Sequence, residues 1–313
     1  MKQWVVLLFS LVATATWGQG NVIRIVVPFA AGGVQDIVAR SLNAELGAAL
    51  GRSVIVENRP GAGGTVGTGS VARAAPDGST LVLAAASHTI AGSLYAKLAY
   101  DPIADFTGVA HVGNVDYVLM VSAALPSRDV KEFIQYLKSN PGKLNYASAG
   151  NGSATHLSMA YFCGLAGVEM VHIPFKATGE AVNEVLAGRA HAVIAANIGA
   201  LPYAKDSRVR MLGSTGARRS KFLPDLPAVA ESLPGYEFDS WIALLAPAAT
   251  PRPFVEQLNA AMAGLLKDPV ILGRLDKQGV VPQAMAPDAL NALLRADFQK
   301  MAKVVKASGA RID

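Results

Sequence analysis

The strongest constraint on this chain is a repeated pattern: a β-branched run, a glycine-containing turn, then apolar residues at helical spacing. Val22–Pro28 (VIRIVVP) ends in Phe29-Ala30-Ala31-Gly32-Gly33, after which Ile37, Val38, Leu42, Leu46 and Leu50 fall on one helical face. The pattern returns where Leu144–Ala147 leads through Gly150-Asn151-Gly152-Ser153 into a helix over Thr155–Leu165. Strands are also predicted at Ser53–Glu57, Thr80–Ala85, Tyr117–Ser122, Glu169–Pro174, Ala192–Ala196, Val209–Thr215 and Trp241–Pro247. Further helices are predicted over Ser127–Asn140, Pro253–Leu266 and Pro287–Ser308. Such alternation predicts an α/β fold with mostly parallel sheets. Ligands of open α/β sheets bind at the carboxyl ends of strands. The two turns, in separate lobes, are therefore expected to face each other across a cleft.

Each turn carries its own chemistry. A glycine pair directly before a helix leaves backbone N–H groups without intrahelical partners, at the positive end of the helix dipole. Gly32 and Gly33 also lack a Cβ that would block a carboxylate or phosphate. The second turn adds side-chain donors at Ser153, Thr155 and His156. Asp36 reads either as a charge favourable to the helix start or as a partner for a ligand ammonium or hydroxyl. Ser153 with His156 also admits a nucleophile–base reading, although both more naturally cap the helix or donate to a ligand.

Composition narrows the class. Hydrophobic residues make up 51% of the 313 and charged residues only 16%, with mean hydropathy +0.32, which raises the question of a membrane. Only residues 4–17 form an extended apolar run, shorter than the roughly 20 residues of a spanning helix. With Lys2 before it and small residues around Ala15 and Gly18, residues 1–18 are expected to be a signal peptide; a buried first strand or helix is the alternative. Cleavage after Ala15 or Gly18 removes Lys2, leaving 27 basic against 23 acidic residues. The excess base favours anionic small molecules. It does not indicate nucleic acid, because Lys and Arg are scattered without an aromatic series.

The lone Cys163 excludes a disulfide scaffold and reads as a small buried hydrophobe. Five histidines without paired spacing argue against a metal site. Gly67-Thr68-Gly69-Ser70-Val71-Ala72 matches a loose dinucleotide pattern, but it does not follow the chain's first strand and has no recognisable acid about 20 residues on. No phosphate-binding loop of the G-x-x-x-x-G-K type and no G-x-S-x-G elbow is present. No cofactor is expected.

Several motifs together resemble the Bug family, the periplasmic solute receptors of tripartite tricarboxylate transporters. They are Ile25–Arg40 (IVVPFAAGGVQDIVAR), Val56–Gly67 (VENRPGAGGTVG), Ala75–Leu81 (APDGSTL), Ser93–Phe106 (SLYAKLAYDPIADF), Leu144–His156 (LNYASAGNGSATH), Leu223–Ser232 (LPDLPAVAES) and Trp241–Pro251 (WIALLAPAATP). The resemblance covers nearly all of the chain after residue 18. It implies a two-lobed type II periplasmic-binding-protein fold with two crossing segments, expected near Val121–Ala124 and Ser240–Leu245. Lobe 1 would hold residues 19–122 and 241–313, and lobe 2 residues 123–240. It also implies a monomeric, non-catalytic receptor that closes over a small carboxylate: an acidic amino acid, a di- or tricarboxylate, or an aromatic acid.

By the same resemblance the carboxylate lies between Phe29, Ala30, Ala31, Gly32 and Gly33 on one side and Gly150, Asn151, Gly152, Ser153, Thr155 and His156 on the other, partly through ordered waters. Asp36, Ser87, His88 and Asn197 are the further expected pocket residues. The chain departs from the family's usual pattern at Gln35, at Phe175-Lys176-Ala177 and at Asn197, where an acid is frequent. The implied partner is a membrane permease; a signalling receptor fed by the same cleft is the alternative.

Overall fold

A computed structural model describes residues 22–310; the expected signal segment, residues 1–18, lies outside them. The described residues form ten strands: β1 Val22–Val27, β2 Ser53–Asn58, β3 Thr80–Ala85, β4 Phe106–Ser122, β5 Asn145–Ser148, β6 Val171–Pro174, β7 Ala192–Ala196, β8 Val209–Ser214, β9 Asp239–Pro247 and β10 Val280–Pro282. The helices are α1 Val34–Leu50, α2 Thr65–Ala72, α3 Ser87–Leu94, α4 Val130–Ser139, α5 Ala154–Ala166, α6 Thr178–Leu186, α7 Asn197–Ala200, α8 Arg252–Leu265, α9 Pro269–Lys277 and α10 Pro287–Ser308. None of these helices is long and apolar enough to cross a membrane.

Strands run in the order β2-β1-β3-β9-β4-β7-β5-β6, with β10 and β8 also pairing with β4. Residues 106–116 of β4 pair with β9, and residues 117–122 pair with β7 and β8. One strand thus belongs to two sheets, and the chain divides into two lobes there. The exchange of partners at Asp116–Tyr117 comes earlier in the chain than the crossing expected near Val121–Ala124. The return crossing lies where Phe238 leaves Thr215 and Asp239 joins Asp116.

The expectation of mostly parallel sheets is corrected by this topology. The βα units pair in parallel (β1 with β2 and β3, β5 with β6 and β7), but every pair made by β4 or β9 is antiparallel. Two neighbouring strands that cross between lobes in opposite directions leave no other arrangement. Both faces of each sheet are buried, as the alternation of neighbouring residues shows. Leu119 and Val121 face the core that runs through both lobes, while Val118 and Met120 face a second core under α6. Helix α10 braces the back. Asn291 Oδ1 accepts from Gly108 N (2.7 Å), Asp297 accepts from Thr89 Oγ1 (2.5 Å) and Trp241 Nε1 (2.9 Å), and the far end of α10 packs on α5.

Thr215 ties the two crossings together. Its N–H donates to Tyr117 O (2.9 Å), its carbonyl accepts from Phe238 N (2.8 Å), and its fully buried hydroxyl lies 2.6 Å from Phe238 O and 3.2 Å from Tyr117 N. Replacing the hydroxyl by a methyl keeps the shape and strips buried backbone groups of a partner. Thr215→Val is therefore expected to destabilise the fold by about 1–3 kcal/mol, read from denaturant unfolding; an unchanged midpoint would contradict this role for the hydroxyl.

Candidate functional site

Between the lobes lies a cavity lined by residues of both. Four helices begin on it. From the first lobe come the start of α1 (Gly33, Val34, Gln35) and the start of α3 (Ser87); from the second, the start of α5 (Ser153, Ala154, Thr155) and the start of α6 (Ala177, Thr178). The first N–H groups of a helix have no intrahelical acceptor, so each helix brings free donors and about +0.5 of an elementary charge. Phe29, Ala85, Val115, Tyr117, Ala149, Ala196, Ser240 and Ile242 complete the wall, and among the described residues no Asp, Glu, Lys, Arg or His lines it. Ser87, Thr178 and Gln35 are buried residues that line the cavity, and their side chains make no hydrogen bond among the described residues. Such an arrangement binds anions by backbone and neutral donors.

Five of the expected residues meet at this cavity: Phe29, Gly33, Ser87, Ser153 and Thr155. Ser153 Oγ caps α5 by accepting from His156 N (3.2 Å), and Thr155 Oγ1 accepts from Ala149 N (2.8 Å), so these hydroxyls also shape the turn. Gly150 and Asn151 lie instead at the mouth, facing Gly61–Gly64 and beside Lys176. There the lobes touch. The Tyr95 hydroxyl is 2.8 Å from Ala62 O and 3.1 Å from Asn151 O, a Cβ on Gly63 would overlap Asn151 O, and one on Gly152 would meet Tyr95 at 2.9 Å. This is a closed cleft.

The remaining expected residues lie off the cavity wall. Ala30 and Ala31 are not on it, and Gly32 is held by Asp36, whose Oδ2 accepts from Gly32 N (2.9 Å). Burial opposes ionisation of Asp36, but bonds from Arg40 Nε (2.9 Å), Gly32 N and Asn58 Nδ2 (3.0 Å) outweigh it and hold the carboxyl below its ordinary range. Asp36 is thus fully engaged in shaping the first turn. His88 points into the first lobe's core, with Nε2 2.7 Å from Pro102 O and its ring among Tyr100, Phe106 and Trp241. Asn197 is buried, its Nδ2 donating to Ser220 Oγ (3.3 Å) and its Cβ beside Gly279. His156 stacks on His172 (4.1 Å between ring centres), and its Nδ1 accepts from Gly152 N (3.3 Å); no hydrogen bond joins its ring to Ser153 Oγ. The nucleophile–base reading finds no support in that geometry.

Gln35 and Ala177, noted in the sequence only as departures from the family pattern, line the cavity, and sequence reasoning missed Tyr117, Ala154, Thr178 and Ser240 altogether. For Thr178 a signal existed: Ala181, Val182 and Val185 follow at helical spacing and are buried. Ala177 at the N-cap offers no capping side chain, so the helix start went unmarked. Cys163 is half-buried and burial pushes its thiol up to about 12, as suits a core residue. Among the described residues no cluster of three or more His, Cys, Asp or Glu is placed to hold a metal.

Two lobes, two crossing strands and an enclosed cavity where helices from both lobes begin define a solute-binding protein. Residues 38–310 match the family described as tripartite tricarboxylate transporter family receptor, and the chain belongs to that family. It is similar to the periplasmic binding protein BugD (34% identity, TM-score 0.86, 93% of this chain and 98% of that one). Rpa4515 of R. palustris, solved with adipate, is 31% identical with TM-score 0.88, covering 95% and 100% of the two chains. MatC of Rhodopseudomonas palustris, solved with bound malate, is 34% identical with TM-score 0.85, covering 91% and 98%. The family is a class of solute receptors, not of enzymes.

Two predictions follow from the geometry at the mouth and behind the second turn. Gly63→Ala is expected to hold the cleft open, weakening ligand capture at least tenfold, and to lower the ligand-free Tm by a few degrees because Gly63 has a left-handed φ of +63° that a side chain strains; small-angle scattering with and without ligand checks it, compaction equal to wild type being the contrary result. Burial lowers the imidazoles of His88 and His156 to about 4, and burial with the neighbouring His156 lowers His172 to about 3. The unfolded chain takes up protons near pH 6.5 that the folded one refuses, so stability falls as pH drops from about 6.5 towards 3–4. Scanning calorimetry is expected to show Tm declining across that window, most steeply where His156 and His172 resist charging together.

Proposed function

We propose that this protein is a periplasmic receptor that closes its lobes over a small organic carboxylate and delivers it to the membrane subunits of a tripartite tricarboxylate transporter. The observation that carries the reading is the meeting of four helix N-termini, two from each lobe, on one enclosed cavity. Gly33, Gln35, Ser87, Ser153, Thr155 and Thr178 are the proposed donors, and Phe29 and Tyr117 the walls against the ligand's body. Adipate in one relative and malate in another support a carboxylate. Family membership supports the transporter as recipient and the periplasm as the place, reached through the signal peptide proposed over residues 1–18. The proposed moving bodies are 22–116 with 239–310, and 117–238, as strand pairing divides them.

Thermal-shift screening of acids against their amides tests the reading. A ligand at 100-fold its Kd stabilises the native state by about 2.7 kcal/mol, roughly 5 °C in Tm for a chain of this size. An acid is expected to shift Tm and its amide not; equal shifts would overturn the carboxylate assignment. Gly33 has an ordinary φ of −74°, and an added Cβ would sit 3.2 Å from Ala30 O, a contact the turn relieves by a few tenths of an ångström. Gly33→Val is therefore expected to fold and to lose at least tenfold in affinity for that acid.

A further inference from the structure

We infer that the ligands of this receptor are carboxylic acids that carry no ammonium group, and that the neutral side chain of Gln35 helps to set that preference. The inference rests on the carboxylate reading above and narrows it. The cavity has helix N-termini on both sides and no charged side chain on its wall. An ammonium entering it would leave water behind, find no carboxylate, and lie against the positive ends of helices. A carboxylate meets the opposite conditions.

The polar side chains that do reach the cavity are neutral. Gln35, Ser87 and Thr178 are each at least nine-tenths buried and have no hydrogen-bond partner among the described residues. Asp36, the acid beside Gln35, is unavailable, because its two oxygens already accept from Gly32, Arg40 and Asn58. Val115 and Ile242, with the rings of Phe29 and Tyr117, supply an apolar wall for an aliphatic or aromatic body. Of the acids a carboxylate receptor can take, these conditions select those whose substituents are hydrocarbon or neutral.

Titration calorimetry on matched pairs tests this: succinate with aspartate, glutarate with glutamate, adipate with 2-aminoadipate, and 3-phenylpropionate with phenylalanine. At least one plain acid is expected to bind, and its amino counterpart at least 100-fold more weakly. Gln35→Glu places a carboxylate on the wall with almost no change in volume, at a helix start where an acid is favoured. It is expected to cost the plain acid at least tenfold and to narrow the ratio between the pair by at least tenfold. Ala154→Asp, at the first position of α5 on the opposite wall, carries the same expectation should Gln35→Glu fail to fold. An amino acid that binds as tightly as its plain partner would overturn the inference and leave the carboxylate reading standing. An unchanged ratio in both variants would overturn the role given to the neutral wall. Silence from both members of every pair would overturn the carboxylate reading itself, and this inference with it.

Discussion

Strand β4 cannot be shortened without separating the two halves of the molecule. Its first part holds β9 and β10 and its last part holds β7 and β8, so the two sheets are fixed to one backbone. The neighbouring crossing, β9, pairs with it down to Asp116 and Asp239, and Thr215 continues the tie through Tyr117 and Phe238. Two adjacent hydrogen-bonded strands resist shear along their length but twist readily. In the proposed receptor this would confine relative motion of the lobes to a bend at one place, directly beneath the cavity lined by Val115, Tyr117, Ser240 and Ile242. The same four residues that form its floor flank the bend.

That geometry explains how a chain with 28 basic residues binds without using any of them on the cavity wall. Arginine and lysine are spent on the surface, as in Arg252 with Asp288 and Glu256 or Lys300 with Glu237 and Asp239. Such exposed pairs add little stability. Inside, the attraction comes from backbone amides whose direction within each lobe is fixed by the helices that hold them, so no side chain must reorganise when an anion arrives. Fixed dipoles also discriminate by the sign of charge more strictly than a flexible lysine, which can swing away.

The two glycine turns were legible because they are local: a strand end, a flexible residue and a helix start leave a pattern within about ten residues. Which side chains would reach the cavity was not. Ser87 and His88 are neighbours at the start of α3, and consecutive helical residues point about 100° apart; Ser87 lines the cavity while His88 enters the core. Ala196, at the end of β7, lines the cavity while Asn197, the first residue of α7, turns away from it towards Ser220. The first half of β4 was hidden for a different reason. No strand is predicted over residues 107–116, where Gly108, His111, Gly113 and Asn114 interrupt the apolar pattern, yet His111 Nδ1 lies 2.6 Å from Gln283 O and Asn114 Nδ2 donates to Gln283 Oε1 (2.8 Å). Partners that distant in sequence leave no local trace, and the first crossing is therefore expected a few residues late, near Val121–Ala124 rather than at Asp116–Tyr117.

On the proposed reading, closure depends on the sign of the ligand's charge. At the mouth the lobes meet through the Tyr95 hydroxyl and the backbone of Gly63, Asn151 and Gly152, contacts that involve few hydrogen bonds of about 1 kcal/mol each. Against this, closing on water alone brings the positive ends of α1 and α3 towards those of α5 and α6. An anion between them turns that repulsion into attraction on both sides at once. The ligand therefore supplies a differential affinity for the closed state, as any shift of a two-state equilibrium demands. A neutral or cationic solute of the same shape fills the space without supplying it. In the proposed receptor the closed form would then report to its membrane partner that an anion is aboard.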